Sequence, residues 1–133
     1  MKVEIFTLCD AATDQHGKLN ILGSFDTIWS KTVPCTHPTC AVAIRLRFPS
    51  IEEGNHKFRL TFTDADGQPL MQPLEGDIPV KMSPDQISSV RNLVVSFRGI
   101  ELKEFGEHSI DFAIDGRHEA SIPLFMCQIP ENK

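Results

Sequence analysis

The sequence predicts an all-β protein, an antiparallel β-sandwich of about seven to nine short strands. Apolar and polar residues alternate with the period of a strand, for example in 57–63 and 111–115, and in Val42, Ile44, Leu46 and Phe48. Asp-Gly pairs, which favour tight hairpin turns, follow two of these runs, at Asp66-Gly67 and Asp115-Gly116. Long runs with the 3.6-residue period of a helix are missing from the sequence.

In chain order, the pattern predicts strands near 2–9, 18–29, 40–48, 56–64, 69–74, 90–98, 108–115 and 117–127. A turn at 15–18 separates the first two strands. The sequence Ser83-Pro84-Asp85-Gln86 combines a serine N-cap, a proline at the first helical position and a glutamine that completes a capping box. Since the residues that follow are poor helix formers, we expect at most a short helical turn near 83–88.

Length and composition predict one domain, 1–133, large enough to fold without a disulfide or a metal. A net charge of −5 argues against a nucleic-acid partner and against an anionic membrane surface. The N-terminal residues lack the apolar core and cleavage site of a secretory leader, and no stretch is long enough to span a membrane. We therefore expect a cytoplasmic protein with four reduced cysteines.

A corner before the strand at 108–115 favours an immunoglobulin-like sandwich. In that fold a polar aromatic residue near the start of the sixth strand bonds back to upstream backbone. The chain has no tyrosine, and His108 would take this place, with the same inward parity as Ile110. Gly106 would supply the backbone freedom that a sharp corner needs. We expect Gly106 and His108 to form a buried structural corner.

Two segments resemble metal sites. Cys35, His37 and Cys40 could supply three soft ligands to zinc from a proline-rich loop, although a fourth ligand would have to come from elsewhere. Asp64, Asp66 and Glu75 match some positions of a calcium loop, but a plain hairpin turn explains the same residues. The ordinary interpretation is favoured in both places, and no cofactor is expected.

A group of cations is the most distinctive pattern of the predicted surface. Arg45 and Arg47 would point outward from one strand, and Lys57 and Arg59 from the next. Together they could bind an anion or a partner. The simpler expectation is that they pair across strands with acidic residues, Asp111 being the candidate partner of the two arginines.

The first half of the chain resembles a family of small uncharacterised bacterial proteins. The resemblance is carried by Asp14–Ile28, Thr36-His37-Pro38, Arg45–Phe48 and Asp64–Leu70. It implies a β-sandwich and says nothing of activity, because the family is defined only as a domain of unknown function.

No nucleophile elbow, phosphate loop, dinucleotide fingerprint or zinc-protease motif occurs in the sequence. We therefore expect a non-catalytic domain that acts as a binding or assembly module, through an unidentified protein partner or as a homo-oligomer. The alternative is a protein that binds a small ligand or a metal through the Cys35–Cys40 loop or through the face of Arg45, Arg47, Lys57 and Arg59.

Overall fold

The computed structural model describes residues 1–130, and nine strands form two sheets. The strands are β1 (Lys2–Gln15), β2 (Lys18–Ser24), β3 (Thr27–Ser30), β4 (Cys35–Pro49), β5 (Gly54–Thr63), β6 (Leu74–Val80), β7 (Ser88–Leu102), β8 (Gly106–Ile114) and β9 (Arg117–Gln128). Within 1–130 the one helical element is a 3-10 turn at Ser50–Glu52. The all-β class and the predicted number of strands are confirmed. No helix in this part of the chain is long and apolar enough to cross a membrane.

The two sheets form the layers of a sandwich. Sheet I has the strand order β2-β1-β4-β7, and all its pairs are antiparallel. Sheet II has the order β3-β9-β8-β5-β6, and in it β3 and β9 run parallel. Only the hairpins β1–β2, β5–β6 and β8–β9 stay within one sheet. The other connections cross between sheets, so strands that follow one another along the chain often lie in opposite layers.

The core lies between the sheets and is formed by the inward side chains of the strands, in the predicted alternation. Burying these side chains removes apolar surface from water, which is the main force that holds the two layers together. The outward residues of the same strands are left free for surface contacts. The core side chains with at most 1% exposure include Val42, Ile44, Leu46 and Phe48 from β4, Leu60 and Phe62 from β5, and Ile110, Phe112 and Ile114 from β8.

Two hairpins close through two-residue turns with positive φ at both positions. Asp115 and Gly116 have φ values of 50° and 81° between β8 and β9, as the Asp-Gly pair predicts. His16 and Gly17 have φ values of 52° and 79° between β1 and β2. This second turn is as tight as the first, because Gln15 pairs directly with Lys18.

Two predicted strands differ from those observed. The predicted strand 18–29 is divided into β2 and β3, because the chain passes from one sheet to the other at Phe25–Asp26. There Phe25 N donates to Leu8 O at 2.9 Å. The predicted strand 69–74 is wrong, since β6 begins only at Leu74. Residues 69 and 73 are prolines, which cannot donate to a ladder.

No helical turn forms near 83–88. Gln86 N donates to Ser83 O at 3.0 Å, which closes a single β-turn. The capping-box contact does form, since Ser83 N donates to Gln86 Oε1 at 2.9 Å. The chain then enters β7 at Ser88, so the turn has no room to continue as a helix.

The β1–β2 hairpin bends across the outer face of sheet I. Its tip reaches β7, where Asn92 Nδ2 donates to Gly17 O at 3.2 Å and lies 3.4 Å from Asp14 Oδ1. Small side chains beneath the hairpin allow this close approach. They form a second, smaller core, in which Cys9, Ala41 and Ala43 are buried and Ala12, Leu19 and Val94 pack against them.

Candidate functional site

The four predicted cations do not form one surface. Arg45 and Arg47 lie on β4 in sheet I, whereas Lys57 and Arg59 lie on β5 in sheet II. All four alternate with inward core residues, so each pair points away from the sandwich on its own side. The two pairs therefore face opposite directions, and the expectation of a single basic face on two neighbouring strands is corrected.

Glu4 of β1 holds both Arg45 and Arg47. Arg45 Nε lies 3.0 Å from Glu4 Oε1, and Arg47 Nε lies 2.8 Å from Oε2. The hydrogen bond from Arg47 is the main reason that the pKa of Glu4 is lowered. Cross-strand pairing was the simpler expectation and it occurs, but the expected partner Asp111 is wrong, because Asp111 lies on β8 in sheet II. A shared carboxylate leaves these guanidinium groups less available to an anion.

The predicted zinc ligands lie in a strand instead of a loop, because β4 begins at Cys35 and pairs with β7 from there. Cys40 is buried in the main core, and burial raises the pKa of its thiol to about 11, which disfavours the thiolate that a metal needs. His37 lies against Phe25, with ring centroids 5.5 Å apart. Within 1–130 these three side chains are not among the groups that could jointly hold a metal ion, and all four cysteines are free thiols.

Three carboxylates do converge at one end of the sandwich. Oxygen atoms of Asp64, Asp66 and Glu104 all lie within 4.8 Å of one another. Glu75, which the calcium-loop pattern would require, is not in the group and instead lies 3.4 Å from Arg59 Nη1. Asp64 Oδ1 accepts from the backbone of its own turn at Asp66 N, so the turn alone explains the position of this side chain.

The two residues of the predicted corner, Gly106 and His108, lie at the start of β8. His108 is 1% exposed, and its Nδ1 lies 3.1 Å from Gly106 O. A carbonyl can only accept, so Nδ1 is the donor of this hydrogen bond. Nε2 has no hydrogen-bond partner within the described part of the chain. Gly106 has φ 128°, a conformation that side chains rarely adopt.

A second histidine, which the sequence did not single out, links two turns at the other end of β8. His56 Nδ1 lies 2.7 Å from Asp115 Oδ2, and Nε2 lies 2.6 Å from Glu52 O. Both neighbours can only accept, so the two hydrogen bonds are made together only when both ring nitrogens carry a proton and the ring is a cation. Partial burial lowers the pKa of His56, but the two hydrogen bonds outweigh it and the pKa is raised. The amide of Lys57 and then the His56 ring lower the pKa of Asp115.

The outer strands on the two sides of the sandwich differ in the contacts that cover their edges. On one side, β6 contains Pro79, and Arg91 of β7 donates to Pro79 O and Lys81 O, each at 3.2 Å. These contacts tie the edges of the two sheets together. On the other side, β2 ends sheet I and β3 ends sheet II, and the outer edge of β2 has no strand beside it within the described residues. We call this row of backbone groups the β2 edge.

Exposed apolar side chains gather on the side of the β2 edge. Leu22 is 69% exposed and Trp29 of β3 is 59% exposed. A shallow groove lies over the paired strands β1 and β2 and is lined by Ala11, Ala12, Thr13, Asn20, Ile21 and Leu22. Of the six large apolar residues exposed within 1–130, four lie on this side: Ile21, Leu22, Trp29 and Ile129. Ile51 and Ile87, the other two, lie in connecting segments, Ile51 in the 3-10 turn and Ile87 just before β7.

An acidic side chain of β1 lies over the end of β2. Gly23 has φ 65°, and a Cβ built there would lie 2.9 Å from Asp10 Cγ and overlap the carboxylate. The absence of a side chain at Gly23 therefore allows the Asp10 carboxylate to lie over the strand. The only charged residue of β2 itself is Lys18, at its start.

Gly23→Ala is expected to lower the free energy of unfolding by about 1–2 kcal/mol for the backbone conformation, and by more because Asp10 must move. Gly17→Ala is the matched control, since Gly17 has φ 79° but no atom within 4 Å of a built Cβ. Urea denaturation of the two variants separates backbone strain from overlap. Equal losses would show that the Asp10 carboxylate does not occupy this position.

A comparison with protein-family models matches residues 4–126 to a family of unknown function, DUF6941. No curated protein matches the chain. The matched range extends from β1 into β9 and so includes both sheets, the corner at Gly106 and the whole β2 edge. The chain therefore belongs to DUF6941, a family of unknown function.

Proposed function

We propose that the protein is a non-catalytic binding or assembly module, and that it joins a partner by accepting an added β-strand at the β2 edge. The observation that carries this proposal is the difference between the two sides of the sandwich. Proteins protect free strand edges with proline, charge or covering contacts, because an unpaired row of N–H and C=O groups is a template for another strand. Pro79 and Arg91 do this on the β6–β7 side.

The β2 edge lacks such protection along its length. Within β2 there is no proline, and its single charge, Lys18, lies at the hairpin tip. The middle of the strand carries Ile21 and Leu22, which are 37% and 69% exposed. Strand addition uses backbone hydrogen bonds for affinity and alternate side chains for specificity. The exposed aliphatic residues beside free backbone groups supply both elements.

The histidines support a role without catalysis. Both nitrogens of His56 are engaged by Asp115 and Glu52, and His108 is buried, so neither is free to act as a general base. Among the described residues, Ser121 with His118 and Asp111 is the arrangement that most resembles a catalytic one. Ser121 Oγ donates to Asp111 and lies 3.1 Å from His118 Nε2. The hydroxyl proton is thus directed to the carboxylate and not to the imidazole, the reverse of an activated serine.

We also infer that the sandwich is of the immunoglobulin-like type. The parallel pairing of β3 with the last strand β9, the hairpins β5–β6 and β8–β9 in one sheet, and the crossing connections around them support this inference. We further propose that the protein is cytoplasmic, where its four cysteines would stay free thiols. The net charge of −5 favours a protein partner over nucleic acid or a membrane.

Selection of a displayed heptapeptide library on the immobilised protein tests strand addition directly. Ile21→Pro removes a donor from the free edge, whereas Ile87→Lys changes an exposed isoleucine elsewhere. Selected peptides are expected to bind the parent and Ile87→Lys, and to lose binding to Ile21→Pro. Peptides that bind all three proteins equally, or a selection that enriches nothing, would contradict the proposal.

A further inference from the structure

We propose that a pocket at the crossing from sheet I to sheet II, after β2, binds an organic cation with an alkylated ammonium group. This inference goes beyond the proposed function, because it concerns a separate site that does not require an added strand. Two features of the pocket carry it: a carboxylate that no described group of the chain neutralises, and the aromatic residues that line the pocket with it.

The pocket opens to solvent and has a volume of about 390 Å³, which is within the range of small-ligand sites. Both sheets contribute to its lining. The lining includes Asp10 and His37 from sheet I, Ile28 and Trp29 from sheet II, and Phe25 from the crossing itself.

The crossing is fixed to both sheets by hydrogen bonds. Phe25 N donates to Leu8 O at 2.9 Å, which holds the crossing to sheet I. Phe125 N donates to Asp26 O at 2.7 Å, which holds it to sheet II. The lining groups supplied by the crossing are therefore in place before a ligand arrives, and this lowers the entropic cost of binding.

The carboxylate of the pocket belongs to Asp10 and lies over Gly23, which also lines the pocket. The nearby carboxylate of Asp26 accepts from Thr27 Oγ1 at 2.8 Å. Asp10 is exposed, and among the described residues none makes a hydrogen bond or an ion pair with its carboxylate. The lining residues include no lysine or arginine. The pocket therefore has a negative charge that a bound cation would complement.

The aromatic lining indicates which class of cation fits. Phe25, Trp29 and His37 line the pocket, and the rings of Phe25 and His37 lie with their centroids 5.5 Å apart. Aromatic rings attract organic cations through the negative potential of their faces, and quaternary ammonium groups are bound by such rings. Calcium and magnesium ions need several oxygen ligands, and one carboxylate does not supply them. An alkylated ammonium group meets both features of the site.

A titration with choline, followed in nitrogen-15 spectra at constant ionic strength, tests the site. Choline is expected to shift the amide signals of the pocket residues saturably, with a Kd on the order of 1 mM, as suits a ligand of few atoms. The neutral analogue, with a tert-butyl group in place of the trimethylammonium group, should bind about fivefold more weakly or worse. Equal binding of the two would show that the pocket selects apolar shape instead of charge, and would overturn the proposal.

Asp10→Asn tests the carboxylate, because it removes the charge and retains the shape of the side chain. It should raise the Kd for choline about fivefold or more. Asp85→Asn is the matched control, since Asp85 is exposed in the turn before β7 and the substitution changes the net charge equally. It should leave the Kd unchanged, and far-ultraviolet circular dichroism checks that both variants are folded. An Asp10→Asn variant that binds choline as the parent does would overturn the proposal.

A short peptide with one trimethyllysine distinguishes the two sources of such a cation. Tighter binding of this peptide than of choline would assign the site to a modified protein partner, and tighter binding of choline would assign it to a free small molecule. The same peptide with unmodified lysine should bind more weakly than the trimethyllysine peptide, because its ammonium group is not alkylated. Absence of saturable shifts with choline and with the trimethyllysine peptide, up to about 50 mM, would overturn the proposal and leave strand addition untouched.

Discussion

His108→Ala is expected to lower the free energy of unfolding by about 2–4 kcal/mol. The ring is 1% exposed, and its removal leaves a cavity between the sheets close to the β8–β9 ladder. The substitution also leaves Gly106 O without the Nδ1 donor that lies 3.1 Å away. Guanidinium chloride denaturation, with the slope m compared between the two proteins, measures the loss.

His108→Phe separates the two contributions to that loss. Phenylalanine retains most of the ring volume and removes Nε2, which has no hydrogen-bond partner within the described residues. Its cost should be the smaller of the two, at about 1 kcal/mol for the lost hydrogen bond. An alanine variant as stable as the parent, or a phenylalanine variant that is the less stable of the pair, would show that the corner is not held by a packed ring.

Asp115→Ala is expected to lower the free energy of unfolding by about 2–3 kcal/mol. Alanine at φ 50° costs about 1–2 kcal/mol, and the hydrogen bonds to Lys57 N at 2.9 Å and to His56 are lost as well. Asp115→Asn is the matched control, because asparagine suits this turn position and retains an acceptor for the amide. Thermal denaturation should place Asp115→Asn between the parent and Asp115→Ala.

The His56–Asp115 pair also predicts how stability depends on pH. The pKa of His56 is raised, so its contribution is complete below the unfolded pKa and is lost as pH rises through the folded pKa. The pKa of Asp115 is lowered, so its contribution is complete above the unfolded pKa and is lost as pH falls through the folded pKa. Both contributions are therefore present roughly between pH 4 and 6.5.

Urea denaturation across this range and up to about pH 9 checks the sign of the histidine contribution. Asp115→Asn should lose less stability than the parent as pH rises, because its His56 has no carboxylate to favour the cation. Nitrogen-15 spectra of the parent at about pH 6 to 6.5 should show both ring nitrogens protonated. The same decline of stability in both proteins would contradict the charged pair.

Local sequence patterns were sufficient for much of the fold. The inward parity of β4, β5 and β8 follows from alternation, and the Asp115-Gly116 turn follows from its requirement for positive φ. The buried position of His108 also followed from parity alone. These features depend on neighbours in the sequence, so one sequence contains the information that defines them.

Features that depend on which strands lie side by side were not predictable in this way. Arg45 and Arg47 have the expected outward direction, but Glu4 holds them because β1 pairs with β4, across about forty positions of chain. His56 is held by a hydrogen bond to Asp115, which is even more distant from it in sequence. The β2 edge exists because no described strand lies on the outer side of β2. Its contrast with the side on which Arg91 joins the two sheets can be seen only when the strand order of both sheets is known.

The parallel pair of β3 and β9 has a consequence for synthesis on the ribosome. β3 is made before β4 to β9, and the strand beside it, with Ile28 opposite Met126, is the last of the nine described strands. Until β9 has left the exit tunnel, Ile28 and Trp29 have no ladder to join, and sheet II ends at β8. The nascent chain therefore carries an unpaired apolar strand from the synthesis of β3 until that of β9, and chaperones that bind short apolar segments should recognise residues 27–30 of stalled chains that end before β9.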